Sequence, residues 1–131
     1  EGARFDGVIV AAMAGGRREM MIGAHRDPVF GPVVVVGEGG KYVEAMPDLQ
    51  LLIPPFTTDD VKSAVKKLRC APVLAGVRGE PAMDVDAFAN AAVAIGKLMT
   101  STSPQVLSLD INPVLLDTKG CTAVDGVVIT A

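Results

Sequence analysis

Near its C-terminus the chain reads Leu-Asp-Ile-Asn-Pro over residues 109–113 and Ala-Val-Asp-Gly over residues 123–126. Both segments lie in apolar stretches that predict β-strands. The Asp-Thr-Lys-Gly sequence of residues 117–120, which separates them, is typical of a tight turn. The sequence therefore predicts a C-terminal β-hairpin whose apolar strands carry a few polar side chains.

The register of this hairpin brings the polar side chains together. Folding about the middle of the turn pairs Leu116 with Cys121 and places Asn112 opposite Asp125, and Asp110 shares a face of the sheet with Asn112. Burying three oxygen-bearing side chains among Leu, Ile and Val is costly unless they find a polar partner. Carboxylate and amide oxygens are ligands for hard cations such as Mg²⁺. We therefore predict that Asp110, Asn112 and Asp125 are metal ligands.

Each of these residues also has a structural alternative. Asn112 can cap the chain before Pro113, Asp125 can be a turn residue before Gly126, and Asp110 can be an ordinary surface carboxylate. Pro113 cannot donate a ladder hydrogen bond, so it can mark a β-bulge that shifts the assumed register.

Composition restricts the class of protein. The 131 residues correspond to one domain, and half of them are apolar with no Trp, so the core is expected to consist of Val, Ile, Leu, Ala and Met. The net charge is −3 and the basic residues are dispersed, which disfavours nucleic-acid binding. No apolar run approaches the ~20 residues of a membrane-spanning helix, and no signal peptide is visible.

The cysteines and the N-terminus suggest the cellular and covalent context. Cys70 and Cys121 have no partner at metal-binding spacing and are expected to be reduced thiols, which favours the cytoplasm. The chain starts at Glu1 without Met and enters an apolar strand candidate almost at once. We therefore expect a single domain, residues 1–131, that is a fragment of a larger multidomain protein.

The order of predicted elements indicates an α+β fold with a mostly antiparallel sheet and helices packed on it. Two helices are predicted, one capped by Thr57 or Thr58 with an apolar stripe at 61, 64, 65 and 68, and one from about Asp84 to Met99. Gly96 in the second helix indicates close packing at that point. Strands are predicted at 6–13, 19–25, 33–36, 42–45, 49–53 and in the final hairpin, which includes 127–129.

Three blocks of sequence carry a family resemblance. They are the LDINP and AVDG segments, the run GRREMMIGAHRDPVFGPVVVVGEGGKYVE at residues 16–44, and PVLAGVRGEP at residues 72–81. Together they resemble the ATP-grasp domain of the nucleotide-diphosphate-forming acyl-CoA synthetases, such as ADP-forming acetyl-CoA synthetase and, more distantly, the succinyl-CoA synthetase β chains. The resemblance implies the C-terminal lobe of an ATP-grasp fold, which agrees with the α+β reading.

The resemblance also implies ligands and further site residues. Mg²⁺ and ATP or ADP are the expected cofactors, with Asn112 and Asp125 holding the metal. The resemblance implies that Glu19 lies in the nucleotide cleft near the ribose. Two roles are open for Arg26: contact with a phosphate, or fixing the turn that follows it. Relatives usually carry Glu or Gln at the adenine hinge where this chain has Ala11 and Ala12, so Ala11 would bind adenine only through its backbone.

Two sequence features that resemble functional motifs are interpreted as structural. Gly37, Gly39 and Gly40 do not have the spacing of a phosphate-binding loop, and are interpreted as a turn bordering the cleft. His25 is interpreted as a strand-end residue, because the phosphorylated histidine of this family belongs to another segment. No general base or nucleophile is visible, so we predict no catalytic residue in this chain.

The function implied by the resemblance is that of a ligase lobe. The whole enzyme would make acyl-CoA from an acid, CoA and ATP through acyl phosphate and phosphohistidine, with CoA-binding and ligase domains as partners, and this lobe alone would be inactive. One alternative is a non-catalytic regulatory domain fused to a GNAT-type protein acetyltransferase. Another is an interaction domain with a relic cleft.

Overall fold

A computed structural model describes residues 2, 4, 6–101 and 106–131. These residues form six strands and three helices. The strands are β1 (Arg18–Asp27), β2 (Gly31–Glu38), β3 (Leu49–Leu52), β4 (Val106–Asp117), β5 (Gly120–Ala123) and β6 (Gly126–Thr130). The helices are α1 (Thr58–Val65), α2 (Ala71–Leu74) and α3 (Val85–Thr100).

The strands form one sheet in the order β3-β2-β1-β4-β5, and β6 pairs with β4 beyond the end of β5. Every pairing is antiparallel. This arrangement confirms the predicted α+β fold. Because β1 and β4 lie at the centre of the sheet, both edges of each are paired, and their β-branched and aliphatic side chains suit a buried position.

The helices cover one face of the sheet and leave the other open. Along β1 the side chains of Met20, Ile22 and Ala24 are buried, whereas Glu19 and His25 are exposed, as expected for alternation across a strand. The core combines these residues with others from β2, β4 and the helices, including Val34, Val36, Leu109, Val114, Leu116, Val61, Phe88, Ala92 and Met99.

Local signals fix the helix ends where the sequence predicts them. Thr57 is the N-cap of α1 and forms a capping box with Asp60, and the Asp84 carboxylate accepts a hydrogen bond from Ala87 N at the start of α3. A Cβ on Gly96 would lie 2.9 Å from Cζ of Phe56. The predicted close packing at this glycine is therefore confirmed, and it seats the segment before α1 against α3.

Two predicted strands are wrong, and one helix was missed. Residues 6–16 adopt no helix or strand and are exposed, with Ile9 at 97% and Met13 at 96% exposure. An apolar run becomes a strand only where a neighbouring strand offers hydrogen bonds, and this segment has no such neighbour among the described residues. Residues 42–45 form a turn, in which Ala45 N and Met46 N donate to the Tyr42 carbonyl. The short helix α2 was not predicted.

A buried carboxylate anchors the entry to α2. The Asp48 Oδ2 atom accepts hydrogen bonds from Arg69 N at 2.8 Å and Cys70 N at 3.2 Å. These N–H groups precede the helix and would otherwise lack partners. The bonds tie α2 to the segment before β3.

Among the described residues, none of the helices has the length and hydrophobicity that a membrane-spanning segment requires.

Truncating the core side chain of Phe88 should destabilise the domain. Phe88 is fully buried, so Phe88→Ala is expected to lower the free energy of unfolding by about 3–5 kcal/mol. Leu98→Ala, on the exposed side of the same helix, should lower it by about 1 kcal/mol or less. Urea unfolding followed by circular dichroism measures both changes, and equal losses would contradict the assignment of the core.

The Cys70 thiol should make stability fall in alkaline solution. Burial, with the neighbouring Glu38 and Asp48 carboxylates, raises the pKa of this thiol from 9.0 to about 11. Between these values the unfolded chain loses the proton while the folded chain keeps it, so rising pH favours unfolding. The expected loss is about 2 kcal/mol between pH 8 and pH 11.

Comparison with Cys70→Ala isolates this effect, because all other alkaline titrations are common to both proteins. The free energy of unfolding, measured in urea at several pH values, should fall more steeply in the parent chain than in the variant. Parallel curves would show that Cys70 ionises equally easily in both states.

Candidate functional site

The uncovered face of the sheet is the candidate functional site. A cavity of about 870 Å³ opens at the Arg18 end of β1, and another of about 490 Å³ opens at the His25 end. The larger cavity is lined by residues from three segments: 16–19 at the start of β1, 38–42 after β2, and 112, 113 and 115 in β4. Three separate parts of the chain therefore build one wall.

The turn after β2 uses its N–H groups within the protein. Glu38, Gly39 and Gly40 donate to three different acceptors, so these three N–H groups are not free to bind a phosphate. The acceptors are the Asp48 carbonyl at 3.1 Å, the Glu19 carbonyl at 2.9 Å and Asn112 Oδ1 at 2.9 Å. Gly39 and Gly40 form the predicted structural turn beside the larger cavity. The turn interpretation is wrong for Gly37, which lies within β2 and pairs with Met21 and Leu49.

Asn112 reaches this turn because β4 bulges. The register of β1 against β4 shifts between Met20 and Ile22, where Met21 alone faces Asn112 and Pro113. A proline that cannot donate to the ladder is a natural place for such a bulge. The bulge lets the Asn112 side chain extend to the glycine turn while the apolar side chains on either side stay in the core.

The predicted hairpin register is confirmed, but it does not bring the two principal site residues into one cavity. Leu116 pairs with Cys121, and pairing continues to Val114 with Ala123. Two residues of each strand then intervene before Ile111 pairs with Gly126, so Asn112 and Asp125 hold facing positions. Asn112 lines the larger cavity, whereas Asp125 lines a separate cavity of about 270 Å³, where its Oδ1 accepts from Gly126 N at 2.8 Å. Their joint ligation of a metal stays a prediction.

Asp110 lies on the uncovered face, further along β4. It pairs with Gly23 of β1 and Val127 of β6, is exposed, and lines the cavity of about 490 Å³ together with His25. Because residue 23 has no side chain, the Asp110 carboxylate extends over β1: a Cβ at position 23 would lie 3.8 Å from its Oδ1. Its predicted role as a metal ligand is not decided by this position.

Glu19 lies in the wall of the larger cavity. Its carboxylate rests against the glycine turn, since a Cβ on Gly40 would overlap Glu19 Oε2. The exposed position leaves the carboxylate open to a ligand. The proposed contact with nucleotide stays a prediction.

Arg26 lies at the other end of the same strand. Seven residues separate it from Glu19, which corresponds to roughly 23 Å at about 3.3 Å per residue. Its Nε donates to the Val106 carbonyl at 2.9 Å, a bond that ties β1 to the start of β4. This contact favours the structural alternative for Arg26.

Asp27, the next residue, accepts two backbone hydrogen bonds in the turn that follows β1. Its Oδ1 accepts from Val29 N at 2.8 Å and Phe30 N at 2.9 Å. These backbone hydrogen bonds lower the pKa of the Asp27 carboxyl, and the bond from Phe30 has the larger effect. Asp27 therefore stabilises the turn between β1 and β2.

Ala11 lies in the exposed segment that adopts no regular structure. Its backbone N–H and carbonyl make no hydrogen bond with any other described residue of the folded sheet. The prediction that Ala11 binds adenine through its backbone therefore depends on how residues 6–16 are ordered by other parts of the protein.

Sequence reasoning missed the charged residues that line the larger cavity. Arg18 forms an ion pair with Glu38 at 2.7 Å, and the Lys41 ammonium lies 4.8 Å from the centre of the Tyr42 ring. Arg17 also lines this cavity and pairs with Asp117 at 3.8 Å. The signal was present in the sequence, because Arg-Arg-Glu opens β1 and Lys follows the glycine pair directly.

A second cluster of polar side chains has a structural explanation. Among the described residues, Glu38, Asp48 and Cys70 are the one group of His, Cys, Asp or Glu whose ligand atoms lie within 4.8 Å of one another. Glu38 is paired with Arg18, and Asp48 accepts two backbone hydrogen bonds. The raised pKa of Cys70 keeps its thiol protonated at neutral pH, and the thiolate is the metal-binding form. This cluster is therefore not assigned as a metal site.

Comparison with known proteins identifies relatives that match nearly the whole chain. ADP-forming acetate–CoA ligase I of Archaeoglobus fulgidus is 38% identical over 123 residues, which cover 94% of this chain and 18% of that protein. The β subunit of ADP-forming acetate–CoA ligase I from Pyrococcus furiosus is 36% identical over 119 residues, covering 91% of this chain and 51% of the subunit. The chain therefore spans from about a fifth to about half of the length of these relatives.

A solved structure agrees with the sequence comparison. The dinucleotide-forming acetyl-coenzyme A synthetase 1 of Ca. Korarchaeum cryptofilum, in complex with coenzyme A and Mg-AMPPCP, superposes with a TM-score of 0.84 at 32% identity. The match covers 90% of this chain and 55% of that one. A family model described as an ATP-grasp domain matches residues 1–130. This chain belongs to the ATP-grasp domain family.

Proposed function

We propose that this chain is the nucleotide- and Mg²⁺-binding lobe of an ADP-forming acyl-CoA synthetase. It would act within a larger protein that also supplies CoA-binding and ligase domains. The support comes from relatives named as ADP-forming acetate–CoA ligases, which match nearly the whole chain while extending well beyond it. Residues 1–131 would then be one domain of a multidomain enzyme.

The observation that carries the proposal is the mixed lining of the larger cavity. Arg17, Arg18 and Lys41 bring positive charge to the wall that also holds Glu19 and the Asn112 amide. Cationic side chains attract the phosphates of a nucleotide, and a carboxylate can accept hydrogen bonds from its hydroxyl groups. The volume of about 870 Å³ falls within the range of small-molecule sites.

The donor set on β4 and before β6 fits a hard divalent cation. Asn112 and Asp125, at facing positions, would hold Mg²⁺ with an amide oxygen and a carboxylate, and Asp110 would contribute directly or through water. When bound, the ion would neutralise charge on the phosphates of ATP or ADP.

The chain's own residues would orient the nucleotide. Glu38 would keep the Arg18 guanidinium at the cavity wall through their 2.7 Å ion pair, where it can contact a phosphate. Arg26 would serve the sheet through its bond to Val106. No side chain in this lobe would take up or release a proton in the reaction, because the chemistry would be completed by groups outside it.

The relatives favour this proposal over the alternatives. Both curated relatives are ligases, whereas a regulatory domain of a protein acetyltransferase would predict relatives of that kind. We also propose the cytoplasm as the compartment, which is supported by two free cysteines.

Binding of Mg²⁺ and nucleotide to the intact parent protein tests the proposal. Asn112→Ala and Asp125→Asn should each weaken Mg²⁺-dependent ADP binding by roughly tenfold or more, because each removes an oxygen ligand or its charge. Isothermal titration calorimetry with and without Mg²⁺ measures the change.

Glu80→Gln is the matched control, since this exposed loop residue lies outside the cavity walls. It should leave ADP affinity unchanged. ADP binding that is insensitive to Asp125→Asn, or that is weakened equally by Glu80→Gln, would contradict the proposed metal site.

A further inference from the structure

One hydrogen bond fixes the orientation of the Asn112 amide. Gly40 N donates to Asn112 Oδ1 at 2.9 Å. A backbone N–H is only a donor, so it can face the oxygen of the side-chain amide but not its NH₂ group. The bond therefore selects one of the two amide orientations, and the oxygen keeps a second lone pair for another partner.

The position of the Gly40 N–H group is itself set by β1. Gly40 has φ +83, and a Cβ there would overlap the Glu19 carboxylate. A Cβ on Gly39 would overlap the Met20 carbonyl and lie 3.0 Å from Asn112 Oδ1. The turn is thus seated directly on the β1 backbone, in a fit that only glycine allows at both positions.

We infer that Gly40 is a positioning residue: its N–H group holds the Asn112 amide oxygen in the orientation that ligates Mg²⁺ in the nucleotide cavity. The inference rests on the proposed function, because Gly40 has this role only if Asn112 is a metal ligand. Partners that orient a metal ligand are commonly as necessary as the ligand, and their loss weakens metal binding by about 10–100-fold.

The chemical consequence follows from the asymmetry of an amide. Without the Gly40 bond, rotation of the Asn112 amide by half a turn presents its NH₂ group in place of the oxygen, and NH₂ does not bind a cation. Aspartate at position 112 has two equivalent oxygens, so its ligation does not depend on the orienting bond. The Asn112→Asp substitution therefore distinguishes orientation from general disruption.

The experiment titrates Mg²⁺ against ADP binding in the intact parent protein. Gly40→Ala should weaken the apparent Mg²⁺ affinity by about 10–100-fold. Gly31→Ala is the matched control: Gly31 has a similar φ of +74, but a Cβ there meets nothing within 4 Å and it lies outside the cavity. The control should change Mg²⁺ affinity by about twofold or less.

A double-mutant cycle adds the decisive comparison. In the Asn112→Asp background, Gly40→Ala should cost much less Mg²⁺ affinity than it does in the parent protein. An undiminished cost would assign Gly40 a purely structural role and overturn the inference. Equal Mg²⁺ affinities for Gly40→Ala and Gly31→Ala would overturn it as well.

A backbone variant covers the case in which Gly40→Ala fails to fold. Replacing the amide at residue 40 with an ester removes the N–H donor and adds no Cβ. The same loss of Mg²⁺ affinity is expected, and parent-like affinity would overturn the inference. If ADP binding by the parent protein does not depend on Mg²⁺, both the proposed function and this inference are rejected. If Asn112→Ala loses Mg²⁺ affinity but the ester variant does not, only this inference is rejected.

Discussion

The pairing of β1 on both of its edges is the constraint on which the rest of the structure depends. β2 and β4 flank it along nearly its whole length, and its alternating side chains divide the molecule into a covered and an open face. The side chains of Met20 and Ile22 are buried in the core on the covered face. The Glu19 side chain, on the open face, lines the larger cavity. A one-residue slip of this strand would exchange the two sets and destroy core and cavity together.

The parts of the fold that were predictable are those governed by local or pairwise rules. The turn at residues 117–120 sets the register of the hairpin, so the pairing of Leu116 with Cys121 follows from counting. The caps Thr57 and Asp84 define the helix starts through contacts within three residues. Segments whose structure depends on distant partners were not predictable: residues 6–16 have a strand-like composition but no neighbouring strand among the described residues, and residues 42–45 form a turn that follows the glycine pair seated on β1.

The candidate site likewise combines features that the sequence predicts with features that it does not. The facing positions of Asn112 and Asp125 follow from the hairpin, and the bulge at Pro113 was readable from the sequence. The hairpin register does not determine where these two side chains point. At the bulge, the Asn112 side chain extends to Gly40, while Asp125 lines another cavity. The ion pair of Arg18 with Glu38 joins residues twenty positions apart, so no local pattern announces it.

In the proposed function, the glycine turn borders a nucleotide site without acting as a phosphate-binding loop. Such a loop offers free backbone N–H groups, but here those of Glu38, Gly39 and Gly40 are already bonded to protein acceptors. In the proposed site, phosphate charge would be met by the side-chain cations of the cavity wall and by oxygen donors suited to Mg²⁺. The glycines are still needed, because only a turn without side chains can approach β1 closely enough to reach Asn112. In the proposed site, their role would be to position Asn112 rather than to bind the metal themselves.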